Sequence, residues 1–129
     1  MNNLLLVDTD ILIDVSKNIL TAVNRLIKEE QNHSLGISTI TKMELIVGCR
    51  NKSELRIVDK FLSRFELIKI DDEINDIAIK LLKIYRLSHG LLIADAFIAA
   101  TSIAHQAMLL TKNQKDFRFI EGLKLKSYP

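Results

Sequence analysis

Four consecutive apolar residues, Leu4-Leu5-Leu6-Val7, end abruptly on Asp8. A run this short, apolar at every position rather than at alternate ones, fits a strand covered on both faces. Such a strand belongs in a parallel sheet with helices on either side. The rest of the chain keeps to that scheme. Leu35-Gly36-Ile37-Ser38, Leu67 to Ile70 and Met108-Leu109-Leu110-Thr111 are strand-like, and Leu123-Lys124-Leu125 reads as a short final strand. Between them apolar residues recur at helical spacing, first as Ile11, Leu12 and Val15, then as Ile19, Leu20, Val23, Leu26 and Ile27. A helix from about Thr39 to Arg50 follows β-like residues 35–38, and the next takes Leu55, Val58, Phe61, Leu62 and Phe65 as its buried stripe. Asp71-Asp72 offers an N-cap for a helix carrying Ile74, Ile77, Ala78, Leu81, Leu82 and Tyr85, which Gly90 interrupts. The segment from about Leu92 to Gln106 is almost wholly apolar and predicts a helix inside the core. Alternating strands and helices predict an α/β fold, a three-layer sandwich around a mostly parallel sheet.

At 129 residues and 48% hydrophobic, the chain suits one domain spanning 1–129, and no repeat or linker divides it. Its net charge of +2 excludes a strongly basic nucleic-acid binder but permits a local basic strip. Cys49 is the only cysteine, so no internal disulfide is expected, and it reads as a small buried helix residue. The apolar run at Leu4–Val7 lacks a basic leader, and no stretch approaches the roughly 20 apolar residues a bilayer needs. A cytoplasmic protein without a membrane partner is expected.

Three carboxylates stand where a purely structural sequence seldom puts them. Asp8 closes the first strand, at the sheet edge where open α/β folds bind ligands; its other reading is an N-cap for the helix beginning near Asp10. Asp95 lies in Leu91-Leu92-Ile93-Ala94-Asp95-Ala96-Phe97-Ile98, among apolar neighbours. An unpaired carboxylate there must be protonated, paired or bound to a metal, unless it caps its helix. Glu44 follows Thr41 at capping-box spacing, which is a respectable structural reading. Asp116, taken alone, is a loop aspartate beyond the strand ending at Thr111. Taken together the four can converge on one edge of a parallel sheet. Gathered carboxylates repel one another, and a hard divalent cation resolves the conflict. A site of that kind suits phosphodiester hydrolysis.

The same residues carry a family resemblance. Leu6-Val7-Asp8-Thr9-Asp10-Ile11-Leu12-Ile13 resembles the opening motif of PIN domains, and Ser38-Thr39-Ile40-Thr41-Lys42-Met43-Glu44-Leu45 with Gly48 is similar to the second. Asp95-Ala96-Phe97-Ile98-Ala99-Ala100-Thr101 resembles the third motif and Thr111-Lys112-Asn113-Gln114-Lys115-Asp116-Phe117 the fourth, where acids vary between relatives. The resemblance implies a PIN-like α/β/α sandwich and an endoribonuclease dependent on Mg²⁺ or Mn²⁺. It implies Asp8 and Asp95 as direct metal ligands, with Glu44 and Asp116 completing the acidic pocket. Thr9 and Asn113 would support that pocket through hydrogen bonds. Short chains of this type resemble the toxin halves of VapBC toxin–antitoxin pairs. That implies a homodimer, a small VapB-like antitoxin lying across the groove, and an RNA substrate such as tRNA or rRNA.

The remaining signals are weaker. Lys42, Arg50, Lys52, Lys112, Lys115 and Arg118 flank the second and fourth motifs and could form a phosphate-holding rim or simply be solvated charge. His33, His89 and His105 share no metal-ligand spacing and read as surface or helix-flank residues. Aromatic residues are only 5% of the chain, which predicts recognition of RNA by shape and backbone rather than by stacking. Asp8-Thr9-Asp10 also resembles the opening of haloacid-dehalogenase-like phosphatases, although the later acids do not follow that pattern. A Mg²⁺-binding phospho-receiver would need an aspartate ending a middle strand, and none stands there. An RNA-processing PIN nuclease without an antitoxin is the nearer alternative.

Overall fold

Five strands pair side by side in the computed structural model, which describes residues 3–129; the first two positions of the expected domain lie outside them. The strands are β1 (Leu4–Val7), β2 (Ser34–Ser38), β3 (Glu66–Ile68), β4 (Met108–Leu110) and β5 (Leu125–Lys126). They lie in the order β3-β2-β1-β4-β5, and every pairing is parallel. The helices are α1 (Thr9–Ser16), α2 (Leu20–Glu30), α3 (Thr39–Val47), α4 (Lys52–Leu62), α5 (Asp72–His89) and α6 (Ile93–Ala104).

Side chains alternate across the pleat, which explains the unbroken apolar strands. Leu5, Val7, Leu35, Ile37 and Leu110 pack on one face with Ile11 and Leu12 of α1, Ala22 and Leu26 of α2, and Leu62 of α4. Leu6, Ile68 and Leu109 pack on the other with Ile74, Ala78 and Leu81 of α5 and with Ala96, Ile98, Ala99 and Ala100 of α6. Helices on both faces make three layers. At Gly36 a Cβ would stand 2.7 Å from Leu4 Cδ1, so a larger residue there would make the Leu4 side chain shift. Gly90 ends α5 in the left-handed region at φ 70°, as the sequence anticipates.

Local details depart from the sequence pattern. Ile19, Leu20 and Ile27 follow the helical spacing yet are exposed, because Asn18 at φ 58° re-aims the chain between α1 and α2. The third helix stops at Val47, since Asn51 caps α4 by accepting from the Glu54 N–H at 2.9 Å. Cys49 therefore lies beyond α3 and is half-buried rather than a buried helix residue. The last strand is Leu125–Lys126, two residues later than the start of the apolar triplet, because register with Leu109 and Leu110 decides it. Among the described residues no helix is long and apolar enough to cross a membrane.

Candidate active site

The chain leaves β1 towards β2 and β3, then returns to the opposite side of β1 to form β4. The β1–β4 junction is thus the topological switch point, where loops beyond the strand ends diverge and leave a crevice. Asp8 follows β1 and Thr111 follows β4, so the order of the strands alone brings these two residues together. The Asp8 N–H donates to the Leu110 carbonyl at 2.9 Å, extending the pairing by one rung.

Asp8 is both cap and site residue. Its Oδ1 accepts from the Thr9 N–H at 2.8 Å at the start of α1, and its Oδ2 accepts from the Thr111 hydroxyl at 2.8 Å. The side chain is buried, with the residue 6% exposed. Burial, and then the neighbouring Asp10 carboxylate, pushes its pKa up to about 7 despite those hydrogen bonds; Asp95 adds to the rise.

Glu44 is not part of a capping box. Ser38 caps α3 by accepting from the Thr41 N–H at 3.0 Å, which leaves Glu44 free to face α1. There it accepts from the Thr9 hydroxyl at 2.6 Å, and that hydroxyl also lies 3.1 Å from Thr41 Oγ1. Asp95 is not a cap either. Leu92 holds the N-cap position of α6, and Asp95 sits in the first turn, half-buried. Burial raises its pKa to about 6, with the carboxylates of Asp116, Glu44 and Asp10 contributing in that order. Asp116 ends a single 3-10 turn, Gln114–Asp116, and is exposed at the rim of the crevice. Asp8, Glu44, Asp95 and Asp116 are therefore within one electrostatic neighbourhood.

Asn113 acts through its main chain. Its N–H approaches Asp10 Oδ2 at 3.2 Å and Thr111 Oγ1 at 3.1 Å. Asp10 and Thr111 are the members that sequence reasoning passed over. Asp10 Oδ2 also accepts from the Thr111 hydroxyl at 3.2 Å and from the Lys112 N–H at 3.1 Å, which ties the β4 loop to α1. Asp10 Oδ1 is buried with no hydrogen-bond partner among the described residues. An acid in the first turn of a helix has a ready explanation in the helix dipole, and that hid a second carboxylate two residues from the first.

These residues fit a divalent cation. A buried carboxylate oxygen without a partner and two carboxyls raised towards neutrality describe a site short of positive charge. Among the described residues no three Asp, Glu, His or Cys side chains already form a ligand group for one ion. The basic rim is smaller than the sequence suggests. Lys115 lines a hollow with Asp95 and Asp116, whereas Lys112 is paired with Asp14 at 2.8 Å and Arg50 with Glu54 at 2.9 Å. Lys42 lines a separate hollow beside Asp59.

Residues 5–122 match the PIN domain family. The chain is 38% identical over 128 residues to Ribonuclease VapC1 of Methanocaldococcus jannaschii, covering 96% of this chain and 86% of that one. Its structure superposes with a TM-score of 0.78, at 33% identity, on a toxin-antitoxin complex from Klebsiella pneumoniae, covering 97% and 99% of the two chains. A TM-score of 0.81 at 26% identity relates it to VapBC2 from Rickettsia felis bound to a DNA fragment from their promoter, covering 98% and 99%. With a switch-point crevice lined by acids and a match over nearly its whole length, this chain belongs to the PIN domain family, among relatives that are VapC ribonucleases.

Proposed function

We propose that the chain is a Mg²⁺- or Mn²⁺-dependent endoribonuclease, acting in the cytoplasm as the toxin of a toxin–antitoxin pair and built as one domain over 1–129. The observation that carries the activity is the gathering of Asp8, Asp10, Glu44, Asp95 and Asp116 at the switch point with their charge uncompensated. In this reading Asp8 and Asp95 hold the cation directly. Glu44 and Asp116 would complete the pocket, acting through water or by orienting the nucleophile. When bound, such a cation would supply charge neutralisation for the phosphodiester and a more acidic water. The chain's own residues supply order. Thr9 holds Glu44 by its 2.6 Å hydrogen bond, Thr111 fixes Asp8, and Asp10 pins the loop that leads to Asp116. Lys115, beside Asp95 and Asp116, is placed to take a phosphate oxygen.

The partners follow from the relatives. VapBC complexes among the structural neighbours support a VapB-like antitoxin; the homodimer is what the family resemblance implies. The substrate class we assign is structured cellular RNA, tRNA or rRNA. The nearest alternative is an RNA-processing nuclease without antitoxin; a small adjacent gene encoding a DNA-binding antitoxin separates the two.

The test is cleavage of total tRNA and rRNA by antitoxin-free protein, with Mg²⁺, with chelator, and with Asp8→Asn and Asp95→Asn variants. Discrete fragments that disappear with chelator and in both folded variants are expected. Cleavage that survives both substitutions would remove the assigned site.

A further inference from the structure

A hollow of about 200 Å³ opens beside the acidic crevice and shares Asp95 and Asp116 with it. Ligand pockets for drug-sized molecules run to about 300–1,000 Å³, so this one has room for a single ring system rather than a whole nucleotide. Its opposite wall carries two flat rings, His89 at the end of α5 and Phe119 beyond the 3-10 turn. These stack on each other with centroids 4.2 Å apart and planes 9° from parallel. Tyr85 braces Phe119 edge-on at 5.4 Å, and its hydroxyl accepts from the Glu121 N–H at 3.0 Å. Tyr85 and Phe119 also pack against the core, which accounts for their presence. His89 is exposed in the last turn of α5, where its Nδ1 lies 2.7 Å from Ser88 Oγ and its ring meets Tyr85 edge-on at 5.9 Å; no core contact accounts for a flat ring over Phe119.

We propose that this hollow seats one unpaired nucleobase of the RNA, beside the carboxylates of Asp95 and Asp116, laid against the His89–Phe119 pair. This rests on the ribonuclease reading above. Stacking on an aromatic platform needs only the π face that every base has, and a flat ring entering the hollow extends a stack already formed. Lys115 in the same hollow can meet a base carbonyl or the flanking phosphate. The low aromatic content points to backbone recognition, yet one base position needs only one platform, and the fold places one at the site.

Two measurements decide it. In the first, the antitoxin-free full chain cleaves tRNA and rRNA, and KM is compared among wild type, His89→Ala, His89→Phe and Phe119→Ala. We expect His89→Ala to raise KM about tenfold with a smaller fall in kcat, and His89→Phe to restore it. His89 carries the decision because Phe119→Ala disturbs packing as well. In the second, a short single-stranded RNA with one 2-aminopurine is titrated into the Asp8→Asn chain, with and without His89→Ala. Quenching by the first and none by the second is expected. Wild-type KM and unchanged quenching in the His89 and Phe119 variants would overturn the base seat while leaving the nuclease intact. So would a defect confined to antitoxin binding. Absence of cleavage together with His89-dependent quenching would overturn the nuclease reading and keep the seat.

Discussion

Two buried carboxylates, Asp8 and Glu29, meet opposite fates in this molecule. Glu29 of α2 is 4% exposed, and it is surrounded by cations: Arg25 Nε donates to Oε2 at 2.8 Å and Lys126 Nζ approaches Oε1 at 3.2 Å. Burial alone would raise its pKa, but the hydrogen bonds and charges of Arg25 and Lys126 hold it below its ordinary value. Asp8 is buried too; that burial first, and then the carboxylates of Asp10 and Asp95 where Glu29 has cations, push its pKa up to about 7. Glu29 ties α2 to the C-terminal strand and tail, since Arg25 also donates to the Ser127 carbonyl at 2.7 Å. A carboxylate that serves the fold brings its own counter-charge; one kept for chemistry leaves that charge to be supplied from outside.

The largest effect that sharpens this contrast is on turnover. Asp8→Asn should lower RNA cleavage by about 1,000-fold or more, roughly 4 kcal/mol of transition-state stabilisation, measured on folded protein at saturating Mg²⁺. Glu29→Gln should leave cleavage per folded molecule unchanged but lower stability by about 3 kcal/mol in urea unfolding, because Arg25 and Lys126 lose a buried partner. Equal loss of activity in both variants would break the comparison.

The two sites should also respond to pH with opposite sign. Asp8 has its folded pKa raised from 3.8 to about 7 and Asp95 to about 6, so in between the folded chain binds more protons than the unfolded one. Without metal, their contribution therefore destabilises the fold progressively as pH rises from about 4 to 7, by a few kcal/mol at most. Glu29, lowered below 4.5, stabilises above its unfolded pKa and loses that contribution as pH falls through its folded value. Denaturation at a series of pH values should show Asp8→Asn gaining on wild type progressively as pH rises from about 4 to 7, and Glu29→Gln losing at every pH above about 4.5 while converging on wild type in acid.

Mg²⁺ should reverse the first of these trends. At about 100 times its dissociation constant a ligand adds about 2.7 kcal/mol, so millimolar Mg²⁺ should raise the Tm near pH 7.5. Near pH 5, or in Asp8→Asn, the shift should shrink or vanish; a shift of the same size under all conditions would place the ion elsewhere. The smallest effect is expected for Thr9→Val, which frees Glu44 from its 2.6 Å hydrogen bond. About 1 kcal/mol of stability and a severalfold loss of cleavage should follow, with the stability part read by urea and the rest by initial rates.

Much of this was legible in the residues themselves. Leu4–Val7 declared a doubly covered strand, Asp8 stood out by closing that strand at the edge where such sheets bind ligands, and Asp95 by being charged among apolar neighbours. Such signals are local, because an unbroken apolar run and a charge set among apolar neighbours can be read before any distant partner is known. Glu44 and Asp116 had ordinary local explanations, and only their joint placement at one sheet edge and the motif resemblance singled them out.

What tertiary structure alone decided is everything that depends on who meets whom. The strand order put Asp8 beside Thr111 across 103 positions of sequence, and that meeting turned Asp10 from a helix-start acid into the anchor of the β4 loop. It also told Glu29 from Asp8, since the neutralising Lys126 lies 97 residues further along the chain than Glu29, beyond the reach of any spacing rule. His89 and Phe119 were two isolated rings until α5 and the last turn brought them face to face beside the carboxylates. Burial is written into a residue and its neighbours; charge compensation and stacking belong to pairs, and the pairs exist only once the sheet has closed in its particular order.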